Sequence, residues 1–400
     1  MGSTFLPKGR FRLPARPRIP LRAALLALTA LALLAAPAVA GAKATLKVGF
    51  LDNVYVTGQA ASFWADVDQL NVGMMRWDVQ WKYVAPTKPQ RPRDPADPAY
   101  QWGETDSFVR NAKAHGLQDR VLFTLWRTPP WASSLKSKKG IETHMPKTRY
   151  WRDFVYAAAK RYSGRYTPPG ATEPLPRVLF WETWNEPNAN FAFRPQYVKG
   201  KAVSPRNYVK LLHTLRSQVK PQIPRAKFVA GAFYKQGGPR SVTPINFMRG
   251  MKAARARFDI LSVHPYNNTP RLGLKDGREE SRTNPKFIGV GNFQTFISLS
   301  NQIFGRKYPI WVTEFGWATP APGKSQYTVS FKQQARFLYE SVRRFKQLPQ
   351  VDVMIWFLIE DNPPRPAGAW YTTGLRTSDG TAKPSWSSWI AAASTLRKQH

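Results

Sequence analysis

Two glutamates in this chain sit in surroundings suited to bond-breaking chemistry. Glu186 lies in Trp184-Asn185-Glu186-Pro187-Asn188 and Glu314 in Thr313-Glu314-Phe315-Gly316-Trp317, each closing a short β-branched and aromatic run. A pair of carboxyl groups a few ångströms apart can divide labour. One stays protonated and gives its proton to a leaving oxygen; the other stays ionised and attacks, as cleavage of a glycosidic bond with retention requires. The acid needs surroundings that raise its pKa, and the nucleophile needs donors and a positive neighbour. Arg76, closing an earlier run, is the natural cation for Glu314, and Asn185 can donate to a sugar hydroxyl.

Elements must bring together two residues 128 positions apart. Eight strand-like runs begin near Lys47, Gly73, Arg120, Val178, Lys227, Asp259, Pro309 and Asp352, about 44 residues apiece, a spacing suited to βα units. Amphipathic stretches lie between them, for example Trp151 to Tyr162, Tyr208 to Val219 and Phe331 to Phe345. The pattern predicts an α/β chain, a single-domain (β/α)8 TIM barrel over residues 41–400, with 86–98 and 163–176 as loops. In such a barrel, reactive groups collect where strands end. Glu186 closes the fourth run and Glu314 the seventh, so both are expected at one mouth. Glu182 shares the strand face of Glu186 and reads as a buried carboxylate near Arg76.

Further residues extend the pattern: Arg76-Trp77-Asp78 with Trp81 and Pro86, Tyr100 and Trp102, Thr128-Pro129-Pro130-Trp131-Ala132, His264-Pro265-Tyr266, and Trp356. With the Asn-Glu-Pro and Thr-Glu-Phe-Gly-Trp segments, they resemble the clan A glycoside hydrolases, family 39 and the related family 5 in particular. The resemblance runs from Lys47 to Leu396. It implies Glu186 as acid/base and Glu314 as nucleophile, with substrate-binding roles for Arg76, Asn185, His264, Tyr266 and Trp356. Tyr266 would also bond the nucleophile, His264 would reach a sugar hydroxyl, and Trp356 would form a platform under the sugar. Packing is the rival reading for His264 and Trp356, and at least as strong for Trp126, Trp131 and Trp317. Glu360 and Asp361 read as an exposed acidic turn or as substrate contacts. The loop Leu51-Asp52-Asn53 departs from the family 39 xylosidase pattern, which has a histidine there. The resemblance implies no metal and no organic cofactor.

Composition bounds the partners. No cysteine is present, which excludes a thiol nucleophile, a disulfide and a thiolate metal site. Lys8 to Arg22 supply six basic residues ahead of the apolar run 23–36 and Ala38-Val39-Ala40, the form of a cleavable export signal over residues 1–40 or, uncleaved, of a membrane anchor. A secreted location is therefore expected. Net charge is +36, and +30 without those six. Such a field would concentrate acidic polysaccharides, cell-wall glycans or anionic surfaces, while an unspecific basic surface reads equally well. Charge alone would also suit nucleic acid, but the basic residues gather on no recognition module. Alternatives to hydrolysis are a non-catalytic carbohydrate-binding barrel and a transglycosylase with the same chemistry.

Overall fold

The computed structural model describes residues 1–2, 46–135, 140–278, 281–320, 327–363 and 371–396. The chain divides into two units, 1–44 and 45–400. The expected export signal lies outside the described residues, except for its first two. Among the described residues, no helix is long and apolar enough to cross a membrane.

The second unit is a closed eight-stranded parallel barrel. Its strands are β1 (Lys47–Leu51), β2 (Met74–Gln80), β3 (Val121–Trp126), β4 (Phe180–Thr183), β5 (Lys227–Tyr234), β6 (Ile260–His264), β7 (Ile310–Phe315) and β8 (Val351–Phe357). Each pairs in parallel with its sequence neighbour, and β8 closes on β1. Helices at Gly103–Ala114, Thr148–Arg161, Ser204–Gln222, Pro244–Ala253, Phe293–Phe304 and Phe331–Lys346 fall between successive strands, and Pro384–Ser394 follows the last. This is the (β/α)8 TIM barrel that the run spacing predicts.

Two-residue alternation along each strand sorts side chains into two cores. Facing outward, Phe50, Trp77, Phe123, Trp181, Phe228, Val312 and Trp356 pack beneath the helices. Inside, Met74, Leu122, Val229, Ile260, Trp311 and Val353 form an apolar plug, with Phe180 partly buried against it. One step further along the inward faces the residues turn polar: Arg76, Thr124, Glu182, Ser262 and Thr313, all fully buried. The plug closes the barrel below, so this polar layer must satisfy its own hydrogen bonds.

The loops after β1 and β8 are tied together by buried carboxylates. Asp52 accepts from the backbone N–H of Tyr55 (3.0 Å), Ile359 (3.0 Å) and Glu360 (3.1 Å). Asp52, in the loop that departs from the family 39 pattern, is thus an internal clamp. Glu360 and Asp361, expected in an exposed turn or at the substrate, are buried instead. Asp361 accepts from Lys383 Nζ at 2.7 Å and from the N–H of Gly374 at 2.8 Å. Removing one partner of a buried ion pair strands the other charge. Lys383→Met should therefore lower the unfolding free energy by about 3–5 kcal/mol in urea titrations, with Asp361→Asn restoring part of the loss.

Candidate active site

Chain geometry at the end of β4 sets Glu186 in place. Trp184 and Glu186 both have positive φ, +64° and +47°. Non-glycine residues adopt this left-handed region at a cost of roughly 1–3 kcal/mol each, and they cluster at functional sites. The twist breaks the strand alternation. Trp184 packs outward, its Nε1 donating to Ala192 O at 2.9 Å, while Asn185 and Glu186 turn to the mouth. The Glu186 N–H donates to Ala232 O at 3.0 Å.

Ala232 can offer that carbonyl because β5 carries an extra residue. Between Ala230 and Phe233 it advances three residues while β6 advances two, a β-bulge. Gly231 sits in it at φ +125°, and a Cβ there would lie 2.3 Å from Ser262 O. A second bulge lies on β7, which advances three residues from Val312 to Phe315 while β8 advances two. It lets Thr313 and Glu314 both reach the interior, which strict alternation forbids.

Arg76 joins these pieces. Its buried guanidinium donates from Nη1 to Glu314 Oε2 (3.1 Å) and Thr313 O (3.0 Å), from Nη2 to Asn185 Oδ1 (2.6 Å), and from Nε to Thr124 Oγ1 (2.9 Å) and Asp78 Oδ1 (3.1 Å). Glu182 lies 3.8 Å from Nε and is held chiefly by the hydroxyls of Thr124 (2.7 Å), Ser262 (2.6 Å) and Thr313 (3.2 Å). Arg76 thus stands beneath the cleft, beside Glu314 as expected, but its donors meet protein groups and it is closed to substrate. Asn185 turns its amide oxygen to Arg76, which leaves its NH2 for a ligand.

His264 is likewise fully buried. Its Nε2 lies 3.1 Å from Arg76 Nη1, which can only donate, so Nε2 accepts and Nδ1 carries the proton. That Nδ1–H points to Glu186 Oε1 at 3.1 Å. Burial and Arg76 hold the imidazole pKa well below its usual value, keeping the ring neutral. The expected sugar-hydroxyl contact is corrected: the ring orients Glu186. Tyr266 donates its hydroxyl to Glu314 Oε1 at 2.9 Å.

Trp356 requires a second correction. It points out of the barrel against Phe315 and Trp317, with Nε1 donating to Thr373 O at 2.8 Å. No face is left for a sugar. The inward aromatic on β8 is its neighbour Phe357, edge-on to Tyr371 at 5.0 Å. Trp317 is buried, and Trp131 donates Nε1 to Ala85 O. Trp126 ends the inward face of β3 with Arg127 stacked on it at 4.2 Å. Sequence reasoning missed Thr124, Ser262 and Thr313, although stepping back two residues from Trp126 and His264 finds the first two.

Glu186, His264 and Glu314 each place a ligating atom within 4.8 Å of the others. Such a trio could hold a cation, but the His264 Nδ1 proton and the adjacent guanidinium oppose one here. Burial raises the pKa of both glutamates. For Glu186 the charge of Glu314 adds to burial and lifts it well above the usual carboxylate range; for Glu314, Arg76 and the Tyr266 hydroxyl pull back. These surroundings favour the pair's proton on Glu186 over Glu314.

Residues 176–371 match the family described as the glycosyl hydrolase catalytic core. This chain resembles clan A glycoside hydrolases. Among solved structures, it is similar to a family 39 glycoside hydrolase from the gut symbiont Bacteroides cellulosilyticus WH2, with a TM-score of 0.61 and 18% identity over 88% of this chain and 64% of that one. A monomeric β-xylosidase from Caulobacter crescentus CB15 gives 0.57 and 19%, over 87% of this chain and 67% of that. Xylanase 10B from Thermotoga maritima gives 0.57 and 15%, over 88% and 95%. At these identities the likeness is one of fold, and the chain spans just under two thirds of the length of the family 39 enzyme. No curated protein matches the sequence significantly.

Replacing Tyr266 by Phe removes a donor that favours ionised Glu314. Its pKa should rise by about one unit, the equivalent of one hydrogen bond, read by carbon NMR titration of labelled glutamate side chains. An unchanged titration would show that the tyrosine does not hold the carboxylate.

Proposed function

We propose that this chain is an exported retaining glycoside hydrolase acting on a poly- or oligosaccharide. The observation that carries this reading is the closeness of Glu186 and Glu314 in one mouth, with oxygens no more than 4.8 Å apart. Retaining enzymes hold their carboxyl groups about 5–5.5 Å apart, whereas inverting ones leave about 6.5–9.5 Å for a water. The match to a glycosyl hydrolase catalytic core and the clan A likeness support the same chemistry. The basic, apolar and small-residue order of residues 1–40 supports export.

In the first step, a Glu314 oxygen bonds to the anomeric carbon as the glycosidic C–O bond breaks, and the Glu186 proton passes to the departing oxygen. The product is a glycosyl ester of Glu314. In the second, ionised Glu186 takes a proton from water, whose oxygen displaces Glu314 from the same carbon. Each step inverts the centre, so configuration is retained overall. Arg76 and Tyr266 keep Glu314 anionic. The His264 Nδ1–H occupies one oxygen of Glu186 and directs its proton to the other.

Glu314→Gln should fold normally and lose roughly 10⁴-fold in turnover of an activated aryl glycoside. Azide should rescue Glu314→Ala with inverted configuration and Glu186→Ala with retained configuration, both read by proton NMR of the glycosyl azide. Wild-type turnover in Glu314→Gln would sink the assignment. Binding without turnover by the unmodified chain would favour a carbohydrate-binding barrel.

The pH profile should be bell-shaped. The acid limb reports ionisation of Glu314, shifted above the usual carboxylate range, and the alkaline limb loss of the Glu186 proton at higher pH. Glu186→Gln, assayed on a substrate whose leaving group needs no proton, should abolish the alkaline limb; its persistence would contradict Glu186 as the acid.

A further inference from the structure

We propose a second, non-catalytic site for an acidic polysaccharide chain in a groove on the outer wall of the barrel; its choice of polymer rests on the glycosidase reading. The groove runs between helices Ser204–Gln222 and Pro244–Ala253. Two cavities of about 600 and 610 Å³ share His213 and Ala254 as walls and so form one trough.

Its charge is one-sided. Along Ser204–Gln222, Arg206, Lys210, His213, Arg216 and Lys220 line the trough at steps of three or four residues, a stripe on a single helix face. From Arg206 to Lys220 the stripe extends about 21 Å at 1.5 Å per residue. Arg255 and Arg257 stand in the same wall. No acidic residue lines it among the described residues; Asp259, which accepts from the N–H of Phe228, lies 3.5 Å from Arg216 and offsets that one charge. Arg206, Lys210, Lys220, Arg255 and Arg257 form no ion pair within the described residues. So many uncompensated cations repel one another, and an anionic chain would relieve that repulsion.

One polar atom in the shared wall lacks a partner. His213 Nε2 has no partner, while the ring's other nitrogen serves the backbone of Arg255. Burial and the neighbouring charges of Arg257 and Arg216 hold the imidazole pKa below its usual value. An anion among them would favour the protonated ring, whose Nε2–H could then donate.

Shape selects among anionic partners. Among the described residues, the walls contain Pro205, Val209, Gly250 and Ala253 but no tryptophan, phenylalanine, tyrosine or leucine to enter a bilayer interface, and the single imidazole of His213 is no row of rings on which successive bases could stack. A concave trough suits a slender linear chain. Helices in a βα unit begin where strands end, so the Arg206 end lies toward the mouth and the trough leads up to it.

The test compares Arg206→Gln/Lys210→Gln/Lys220→Gln/Arg257→Gln with a control of equal charge loss, Lys113→Gln/Lys307→Gln/Lys332→Gln/Arg343→Gln. Both are made in the full chain carrying Glu314→Gln, so that no polymer is cut. Binding to polygalacturonate and to chondroitin sulfate is measured across a salt series. The groove variant should lose roughly 10- to 30-fold in affinity at about 0.15 M salt, with a shallower salt dependence, and the control no more than a fewfold. With Glu314 restored, both should hydrolyse a small neutral glycoside at the unmodified rate. Equal losses in the two variants would overturn the site, leaving only a diffuse field. Groove-dependent binding to phosphatidylglycerol vesicles or duplex DNA, but not to the acidic glycans, would overturn it in favour of those partners. Absence of glycoside turnover by the unmodified chain would remove the enzymatic reading, whereas the binding comparison decides the groove.

Discussion

A single buried cation orders the centre of this molecule. Arg76 is closed to solvent at the top of the apolar plug, and Asp78, Glu182, Glu186 and Glu314 all bear on it electrostatically or by direct contact. One positive charge cannot balance four negative ones in a poorly solvated site, so at least one carboxyl group must hold a proton. Proximity to the guanidinium decides which. Asp78 and Glu314 bond it directly and Glu182 is supplied with three hydroxyls, while Glu186 accepts from the His264 ring and feels Arg76 and Lys235 without a direct bond among the described residues.

The same arginine links electrostatics to geometry. Its donors fix the oxygen of Asn185 and the accepting nitrogen of His264, and through that ring the orientation of Glu186. The bulges on β5 and β7 supply what a regular strand cannot: a carbonyl for the Glu186 N–H, and adjacent inward side chains at Thr313 and Glu314. The positions of Glu186 and Glu314 are thus set by backbone irregularities held in place by a polar layer. A regular barrel of the same strand order would not present them so.

Much of this was legible in the chain. Eight runs at a nearly constant interval give the barrel, because a βα unit has a characteristic length. Strand-end glutamates give the pair, because parallel strands end at a common face. Glu182 could be placed inside by alternation alone. Trp356 was the misleading case: it lies one residue from the inward Phe357, and a side chain that steps from one face to the other changes from mouth to outer core. Glu360 and Asp361 misled for a different reason. Acidic residues after a strand look exposed until the partners are known: Lys383 and the Gly374 N–H for the Asp361 carboxylate, and Asp52 for the Glu360 N–H.

By itself, then, the sequence determined the number of barrel strands, the common end at which they close and the two glutamates that meet there, all of which follow from local periodicity and residue type. Only the tertiary structure decided what favours the proton on Glu186, that His264 serves Glu186 and not a sugar, and that Trp356 faces outward. Those outcomes depend on burial and on partners such as Arg76 and Thr313, 237 residues apart. Such distances are set by closing the barrel, and the bulges that aim the carboxylates arise from the register between strands. Neither quantity is written in any one segment of the chain.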